Sequence, residues 1–347
     1  MSRPLLAFTQ GDPAGIGPEV LARALLSSAA TPRADFLPLL VAEAVALRAL
    51  HPSLPDLPWE RLVEVGAEPT HEDLGGIVDR GGLPVLDPVG EARQLLLGTS
   101  GPADAAGAMA ALDTAIGLVA GGTAHALVTA PMSKRSVARH VRPGFAGHTE
   151  YLAAAAGLER YGRDYLMAFL APDLQVALLT THLPLREALD RVTPTAIEEA
   201  LVCLDRGAGG RLAVAGFDPH AGEGGLLGDE DARQVAPAVA AGRRRGLDVH
   251  GPESADSVFA RARRGEFDWV LALDHDQGLI AVKTAAFGSA TNWTLGLPWL
   301  RTSVDHGTAF PLAGHAAADA TPMRAVIATT LGLLRGELPR RAFRAPS

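Results

Sequence analysis

The chain has 347 residues, a formal net charge of −8 and 48% hydrophobic residues, as is usual for a globular protein. The negative charge argues against a nucleic-acid-binding protein, since such proteins usually carry a basic patch. A single cysteine, Cys203, excludes an intrachain disulfide and fits a reducing compartment. We find no apolar run of about 18 residues and no signal-like N-terminal core. We therefore expect a cytoplasmic protein that does not bind a membrane.

Strand-like and helix-like runs alternate along the chain. In chain order they predict a strand over 5–8, a glycine-rich loop over 11–17, a helix over 103–119, strands over 126–129 and 176–181, a helix over 195–204, a strand over 212–215, helices over 229–244 and 257–264, and a strand over 269–273. Strands that are apolar throughout are typical of a parallel sheet covered on both faces. The alternation therefore predicts an α/β layer architecture.

Three histidines follow three predicted strands. His182 follows the strand over 176–181, His220 the strand over 212–215, and His275 the strand over 269–273. Ligands of open α/β sheets bind beyond the carboxyl ends of the strands. Three imidazoles gathered there are typical of a catalytic metal site with one open position. Each histidine taken alone is more often an ordinary surface or core residue, so the hypothesis depends on all three converging.

Two segments indicate an anion site. Thr149 is placed to cap a helix whose first turn, beside His148, would offer free N–H groups to an anion. An ordinary capping box explains the same residues. Lys283 and Arg301 are usual partners of phosphate and carboxylate, and Lys134 is a further candidate, although an isolated lysine is usually a surface charge.

The glycine-rich loop over 11–17 follows a strand and opens a helix, as a dinucleotide-binding loop does. It does not have the GxGxxG spacing, and no acidic residue stands at the distance that binds a ribose. The loop therefore does not predict a Rossmann site, although its place at a strand-to-helix turn is compatible with lining a site.

Several motifs, in the same order, resemble the 4-hydroxythreonine-4-phosphate dehydrogenase family from Leu5 to about Ala316. They are Gly-Asp-Pro-Ala-Gly-Ile-Gly-Pro-Glu at 11–19, Gly-His-Thr-Glu at 147–150, Thr-Thr-His-Leu-Pro-Leu-Arg at 180–186, Pro-His-Ala-Gly-Glu at 219–223, His-Asp-Gln-Gly at 275–278, Thr-Leu-Gly-Leu-Pro at 294–298 and Arg-Thr-Ser-Val-Asp-His-Gly-Thr-Ala at 301–309.

The resemblance implies two α/β/α domains, as in isocitrate and isopropylmalate dehydrogenases, with an active-site cleft between them. We place the first domain at about 1–135 plus 290–347 and the second at about 136–289. The resemblance also implies a homodimer whose active site the partner subunit completes. It assigns a divalent metal (zinc, or alternatively magnesium, manganese or cobalt) to His182, His220 and His275. It assigns substrate contacts to the following residues: His148, Thr149, Lys283, Asn292 and Arg301.

The implied reaction uses NAD or NADP to oxidise the C3 hydroxyl of 4-(phosphooxy)-L-threonine, followed by loss of CO₂ to give 3-amino-2-oxopropyl phosphate. The metal acts as a Lewis acid in this scheme. Lys283 and Asp256 are the candidate general bases. This step belongs to pyridoxal 5′-phosphate biosynthesis, and the substrate is a small phosphorylated hydroxy acid.

The chain departs from the family pattern at three places. Relatives often have Tyr where this chain has Asp274 and Asn where it has Asp218, and the segment 132–134 differs from the commonest form. These changes leave open whether 4-phosphothreonate or 4-phosphoerythronate is the substrate, and other relatives act on aromatic cis-dihydrodiols. From the residues alone, a metal-dependent hydrolase or aldolase and a non-catalytic metabolite-binding protein also stay open.

Overall fold

The computed structural model describes residues 3–27 and 35–337. The chain divides into two compact units, unit 1 (Met1–Ala155 with Pro298–Leu334) and unit 2 (Ala156–Leu297). These contact-based units change over near residues 155 and 297, whereas the sequence-based domains change over near 135 and 289. The domain assignment made from the sequence therefore stays a prediction.

Unit 1 is built on a parallel sheet. Its strands and helices are, in chain order, β1 (Leu5–Thr9), α1 (Gly17–Leu26), β2 (Leu37–Val41), α2 (Ala44–Arg48), β3 (Leu62–Glu64), α3 (His71–Asp79), β4 (Leu83–Leu86), α4 (Pro102–Ala120), β5 (Ala126–Thr129), α5 (Lys134–His140), α6 (His148–Ala155), β12 (Leu300–Ser303) and α12 (Thr321–Leu334). The strand order is β3-β4-β2-β1-β5-β12 and all neighbours are parallel.

Alternate residues of β1 point to opposite faces of this sheet, as the pleat requires. Leu6 and Phe8 belong to a buried apolar cluster with α1 and α12, while α4 packs on β1, β2 and β5. Every residue of β1 and β2 is buried. The sheet is therefore covered on both faces, which explains why its strands are apolar throughout.

Unit 2 contains the remaining strands and helices. In chain order these are β6 (Leu166–Ala171), β7 (Leu174–Leu178), α7 (Leu185–Asp190), α8 (Pro194–Gly207), β8 (Leu212–Ala215), α9 (Ala236–Arg244), β9 (Val249–Glu253), α10 (Ala255–Arg263), β10 (Trp269–Ala272), α11 (His275–Ala286) and β11 (Thr291–Leu295). The strand order is β11-β6-β7-β10-β8-β9. Helices α10 and α11 contribute to the same buried cluster as β6, β7, β8 and β10.

The parallel strands of unit 2 decide where its loops meet. Strands β7, β10, β8 and β9 run parallel in that order, so their carboxyl ends lie at one edge of the sheet. Strand β6 is antiparallel to both β7 and β11; only two residues separate β6 from β7, a link too short for a parallel crossover. The α/β layer architecture is nevertheless confirmed in both units.

The predicted elements are largely confirmed, with shifts at their ends. The helix over 103–119 is Pro102–Ala120 and the strand over 126–129 has the predicted bounds. The strand over 176–181 ends early, because Leu174–Leu178 is the paired segment. The helix over 229–244 begins with a π-turn, Asp231–Val235, before α9. The unassigned segment 52–88 contains β3, α3 and β4.

Helix α4 is the one described helix long and apolar enough to cross a membrane, and 56% of its apolar window is buried inside the protein. It contacts three strands of unit 1, and it carries Asp104 and Asp113. These features are those of a core helix.

A buried ion-pair network fixes the segment that connects β4 to α4. Arg93 Nε donates to Glu43 Oε1 at 2.7 Å, and Arg93 Nη1 donates to Asp104 Oδ1 at 2.7 Å. Gln10 Nε2 donates to Glu43 Oε2 at 3.0 Å. A methyl group at Gly107 would lie 2.0 Å from that same oxygen. The buried carboxylate of Glu43 therefore depends on Arg93 for its compensating charge.

Replacing Arg93 with Met should destabilise the protein by about 3 kcal/mol or more, because it leaves a buried carboxylate without its counter-charge. The matched control is Arg160→Met, which removes an exposed pair with Glu199 and should cost less than about 1 kcal/mol. Urea midpoints of the variants measure the difference. Equal midpoints for the two variants would contradict the network's role.

Candidate active site

Two clusters of polar side chains stand where the sequence predicts chemistry, one in each unit. The first is the anion cluster of unit 1, which we define as Thr129, His148, Thr149 and Arg301. The second is the histidine cluster of unit 2, which we define as His182, His275, Asp276 and Gln277. Each is described by itself below.

Arg301 is the central charge of the anion cluster. It lies on β12 and is only 2% exposed, and its Nη2 donates to Thr129 Oγ1 on the neighbouring β5 at 2.7 Å. Burial lowers the pKa of Arg301 to about 10, with the carboxylate of Glu150 acting in the opposite direction. The guanidinium is therefore still charged at neutral pH, although it has lost most of its water. A buried cation of this kind favours an anionic ligand.

His148 and Thr149 begin α6, and Thr149 is buried. The pKa of His148 lies well below its usual value because of burial, followed by the positive charges of Arg301 and Lys134. The imidazole is therefore neutral at pH 7 without a ligand. An incoming anion would find one buried cation, a neutral ring and the free N–H groups of the first helical turn.

The histidine cluster lies at the carboxyl ends of β7 and β10. The rings of His182 and His275 have centroids 5.2 Å apart, and both line a cavity of about 420 Å³. Two imidazoles on one tetrahedral zinc, with Zn–N about 2.0–2.1 Å, have centroids about 5 Å apart. The observed spacing of this pair therefore fits two ligands of one metal ion.

A carboxylate orients one ring of the pair. Asp276 Oδ1 lies 2.7 Å from His275 Nδ1. Because an ionised carboxylate only accepts hydrogen bonds, this contact places the proton on Nδ1 and leaves the Nε2 lone pair for a metal. The adjacent Asp274 instead caps α11, accepting from the backbone N–H groups of Asp276 and Gln277. Asp274 is therefore the N-cap of α11.

Hydrogen bonds between the strand ends hold this edge together. Thr180 Oγ1, after β7, donates to the Leu273 carbonyl after β10 at 2.9 Å. Gln277 Oε1 accepts from Leu273 N at 2.8 Å, and its Nε2 donates to the Gly216 carbonyl after β8 at 2.9 Å. Gln277 therefore links the loop of His275 to the loop that carries His220.

His220 itself is exposed and belongs to a left-handed turn, Pro219–Gly225, in which its own φ is 54°. Asp231 secures the start of this loop by accepting the N–H groups of Phe217 and Asp218 at 2.8 Å each. Across residues 3–27 and 35–337, no group of three or more His, Cys, Asp or Glu side chains is arranged to hold a metal ion. One chain therefore brings two of the three histidines together, and the three-histidine centre stays a prediction.

The other predicted residues of unit 2 occupy separate positions. Asp256 lies exposed in the first turn of α10, after β9, and accepts from Ser254 Oγ at 2.7 Å. Lys283 lies on α11 eight residues after His275, which places their Cα atoms about 12 Å apart at 1.5 Å per residue. Asn292 lies on β11 opposite Phe169, and its buried Oδ1 has no hydrogen-bond partner among the described residues. That buried oxygen is therefore an unsatisfied acceptor.

Asp218 carries one of the two extra carboxyl groups. Its Oδ2 is buried without a hydrogen-bond partner among the described residues. Its pKa is raised by burial and then by the nearby Glu230. The carboxyl group therefore faces the interior of the loop, where a methyl group at Gly228 would lie 2.3 Å from it.

The glycine-rich loop over 11–17 is buried throughout. A methyl group at Gly11, whose φ is 69°, would lie 2.2 Å from the Pro131 carbonyl oxygen, and one at Gly17 would lie 2.1 Å from the Gln10 carbonyl oxygen. The glycines are therefore required by close backbone packing. This segment does not fit a pyrophosphate cradle, which needs accessible N–H groups.

Two residues of these clusters, Thr129 and Gln277, and the neighbouring Asp231 were given no role from the sequence. Thr129 lies in the predicted strand over 126–129 and Gln277 in the motif at 275–278, but only the pairing of neighbouring strands shows what these two side chains contact. Asp231 lies thirteen residues after Asp218, the residue whose N–H it accepts. The sequence around Asp231 has no distinctive spacing that would have predicted this contact.

The geometry defines an α/β protein whose two sheet-based units carry an anion cluster and a histidine cluster. Residues 38–330 match the model of the family described as pyridoxal phosphate biosynthetic protein PdxA. The chain belongs to the PdxA family of pyridoxal phosphate biosynthetic proteins, as the sequence resemblance indicated.

Individual relatives agree with this assignment. The chain is 40% identical to the 4-hydroxythreonine-4-phosphate dehydrogenase of Acidithiobacillus ferrooxidans over 336 residues, covering 92% of this chain and 93% of that protein. It is 38% identical to that of Beijerinckia indica, covering 92% and 91%. The crystal structure of the Klebsiella pneumoniae enzyme matches with a TM-score of 0.82 at 36% identity, covering 95% of this chain and 99% of that chain.

A more distant structure also matches. The terephthalate 1,2-cis-dihydrodiol dehydrogenase of Burkholderia xenovorans has a TM-score of 0.60 at 25% identity, covering 95% of this chain and 98% of that chain. Its lower similarity separates it from the phosphate-ester dehydrogenases named above.

The neutral state of His148 is open to direct measurement. Because the pKa of His148 is depressed, its ring stays neutral in the folded protein as the pH falls below 6.5, whereas the same ring takes up a proton in the unfolded chain. This histidine's contribution to stability is therefore present above pH 6.5 and falls as the pH drops below that value. Adding phosphate should raise the pKa of His148, because a nearby anion stabilises the imidazolium.

Histidine-selective NMR titration measures this, with His148→Gln to assign the signal. The expected result is no titration of His148 between pH 6 and 8 without phosphate, and an upward shift of its pKa with phosphate. A His148 signal that titrates near pH 6.5 and ignores phosphate would contradict the account of the anion cluster.

Proposed function

We propose that the protein oxidises the C3 hydroxyl of 4-(phosphooxy)-L-threonine with NAD or NADP in pyridoxal 5′-phosphate biosynthesis. Hydride leaves C3 for the nicotinamide and a proton leaves the hydroxyl. The resulting β-keto acid then breaks its bond to the carboxyl group, releasing CO₂ and giving 3-amino-2-oxopropyl phosphate. Membership of the family supports a nicotinamide-dependent dehydrogenase of a small phosphorylated substrate, and the buried charge of Arg301 is the structural observation that supports an anionic substrate.

The anion cluster holds a negatively charged group of the substrate in this proposal. Arg301 on β12 donates to Thr129 on the paired strand β5, so the position of its guanidinium is set by the sheet and not by a mobile loop. Thr149 and the first turn of α6 offer further donors. Lys283 and Asn292 are proposed to contact the substrate as well, and the buried Asn292 Oδ1 is an acceptor without a hydrogen-bond partner among the described residues. Such fixed contacts orient the reacting carbon.

A divalent metal, with zinc first and magnesium, manganese or cobalt as alternatives, is proposed to be held by His182, His220 and His275. When bound, it supplies a Lewis acid that polarises the substrate's oxygen atoms. The spacing of His182 and His275 supports the pair as ligands. Asp276 keeps the His275 ring in the tautomer that can bind a metal. Lys283 and Asp256 stay the candidates for the general base.

We further propose a cytoplasmic homodimer formed through unit 2. The support is a set of large apolar side chains exposed on that unit: Leu183, Leu185, Leu189, Leu226, Leu227, Ile280 and Phe287. Phe287 is 85% exposed and Ile280 66%, seven residues apart on and just after α11. Contiguous exposed apolar surface marks protein interfaces, and Leu183, Leu185 and Leu189 lie close together in sequence at α7. A second copy is also the source of any site residue that one chain does not bring into place.

A substrate panel tests the proposed reaction. 4-(Phosphooxy)-L-threonine, 4-phosphothreonate, 4-phosphoerythronate and an aromatic cis-dihydrodiol are compared with NAD and with NADP, by absorbance of the reduced nicotinamide. We expect the highest kcat/KM with 4-(phosphooxy)-L-threonine, and CO₂ release in equal amount. A preference for phosphothreonate or phosphoerythronate would mean that the protein is a dehydrogenase of the same family with that compound as its substrate. No reduced nicotinamide with any of them would favour a hydrolase, an aldolase or a binding protein.

Removal of the metal should stop turnover without unfolding the protein. We expect excess EDTA to reduce the rate by at least about 100-fold, and His220→Ala to lose bound metal, since removing one of three ligands weakens the site. Metal content is measured by atomic emission, and sedimentation checks that the variant keeps the wild-type oligomeric state. Full activity in excess EDTA, or stoichiometric metal in His220→Ala, would contradict the proposed centre.

A further inference from the structure

The chain uses lysine at two positions only, Lys134 and Lys283, so that 29 of its 31 basic residues are arginines. On an exposed surface either cation serves equally well, and this chain fills such positions with arginine. We therefore infer that each of the two lysines occupies a position that needs a compact point charge and not a planar guanidinium. Lys283 is already among the proposed substrate contacts, which leaves Lys134 to be explained.

Lys134 lies against the backbone at the entrance to α6. It is the first residue of α5, and its side chain passes Gly147, the residue before His148. A methyl group at Gly147 would lie 2.6 Å from Lys134 Cε and 3.0 Å from Nζ. Glycine at 147, whose φ is 144°, therefore leaves the Lys134 side chain room to lie along this backbone. The ammonium is therefore beside the anion cluster although Lys134 is an exposed residue.

The positive charge of Lys134 acts on the anion cluster. Together with Arg301 it depresses the pKa of His148, after burial as the main cause. The two cations therefore influence the same imidazole. A phosphate monoester carries about −1.5 to −2 charges at neutral pH, whereas a carboxylate carries one. The carboxylate of Glu150 opposes the charge of Arg301 and also lies 3.3 Å from the methyl position at Gly147, beside Lys134. Arg301 and Glu150 together carry no net charge, so while His148 is neutral Lys134 supplies the net positive charge that a phosphate needs.

We propose that Lys134 is a specificity-determining residue, which supplies the second positive charge that selects a doubly charged phosphate group over a singly charged carboxylate at the anion cluster. The proposal rests on the proposed function, because it names the group of the substrate that this cluster recognises. The proposal also gives a role to the segment 132–134, which differs from the commonest form in the family. Ser133 accepts a hydrogen bond from Ser136 N and so caps the helix that begins with Lys134.

The test compares three variants: Lys134→Met, Lys134→Arg and, as the matched control, Arg135→Met. The control removes an equal charge from the next, exposed residue of the same helix. We expect Lys134→Met to raise KM for the phosphorylated substrate by about 10- to 100-fold, the usual worth of a hydrogen bond to a charged group, with kcat changed less than about threefold. Arg135→Met should match the wild type. Lys134→Arg should recover less than half of the loss, because a planar guanidinium does not reproduce the compact point charge of the ammonium.

Calorimetry with inorganic phosphate and with acetate, at pH 8, separates this proposal from the proposed function. Weaker phosphate binding in Lys134→Met with unchanged acetate binding supports it, even if no substrate of the panel is oxidised by the wild type. Equal losses for the two anions would overturn the selectivity. Wild-type phosphate binding in Lys134→Met, or full rescue by Lys134→Arg, would overturn the role of Lys134 altogether.

Discussion

The candidate site of unit 2 depends on the parallel register of β7, β10 and β8. Parallel neighbours bring their carboxyl ends to one edge, and the residue that follows each strand is then fixed in space by the strand before it. Thr180 and Gln277 strengthen this arrangement by hydrogen bonds from one strand end to the next. Without that register His182 and His275, 93 residues apart in the chain, would have no reason to lie with their rings 5.2 Å apart.

In unit 1, paired parallel strands fix the position of a charged side chain in the same way. Arg301 is held on β12 beside Thr129 of β5, so a cation that would otherwise seek water is kept inside a rigid sheet. Its cost of burial is offset when an anion binds, which makes the cluster selective for charged substrates. Because the His148 ring beside it is neutral, the charge of the site comes from Arg301, Lys134 and the Glu150 carboxylate that opposes them.

Much of this could be predicted from the sequence, because apolar strands in alternation with helices determine an α/β sheet, and polar residues after a strand end determine its functional edge. The strand over 126–129 and the positions of His182 and His275 follow from that reasoning. The antiparallel β6 was missed because 166–171 was not assigned as a strand; once it is, the two-residue link to β7 requires an antiparallel pair. Gln277 and Thr129 were missed because their roles depend on which strands are neighbours.

The position of His220 illustrates the remaining limit of sequence reasoning. Its place after β8 predicts the correct edge of the sheet, yet the left-handed turn over Pro219–Gly225 decides where the ring lies, and no pattern of residue types specifies that turn beyond its glycines. Zinc K-edge X-ray absorption on the purified, metal-loaded protein tests the central claim most directly. The account predicts three imidazole nitrogen ligands at about 2.0–2.1 Å. A spectrum with no imidazole ligands, or a protein that takes up no zinc, would contradict it.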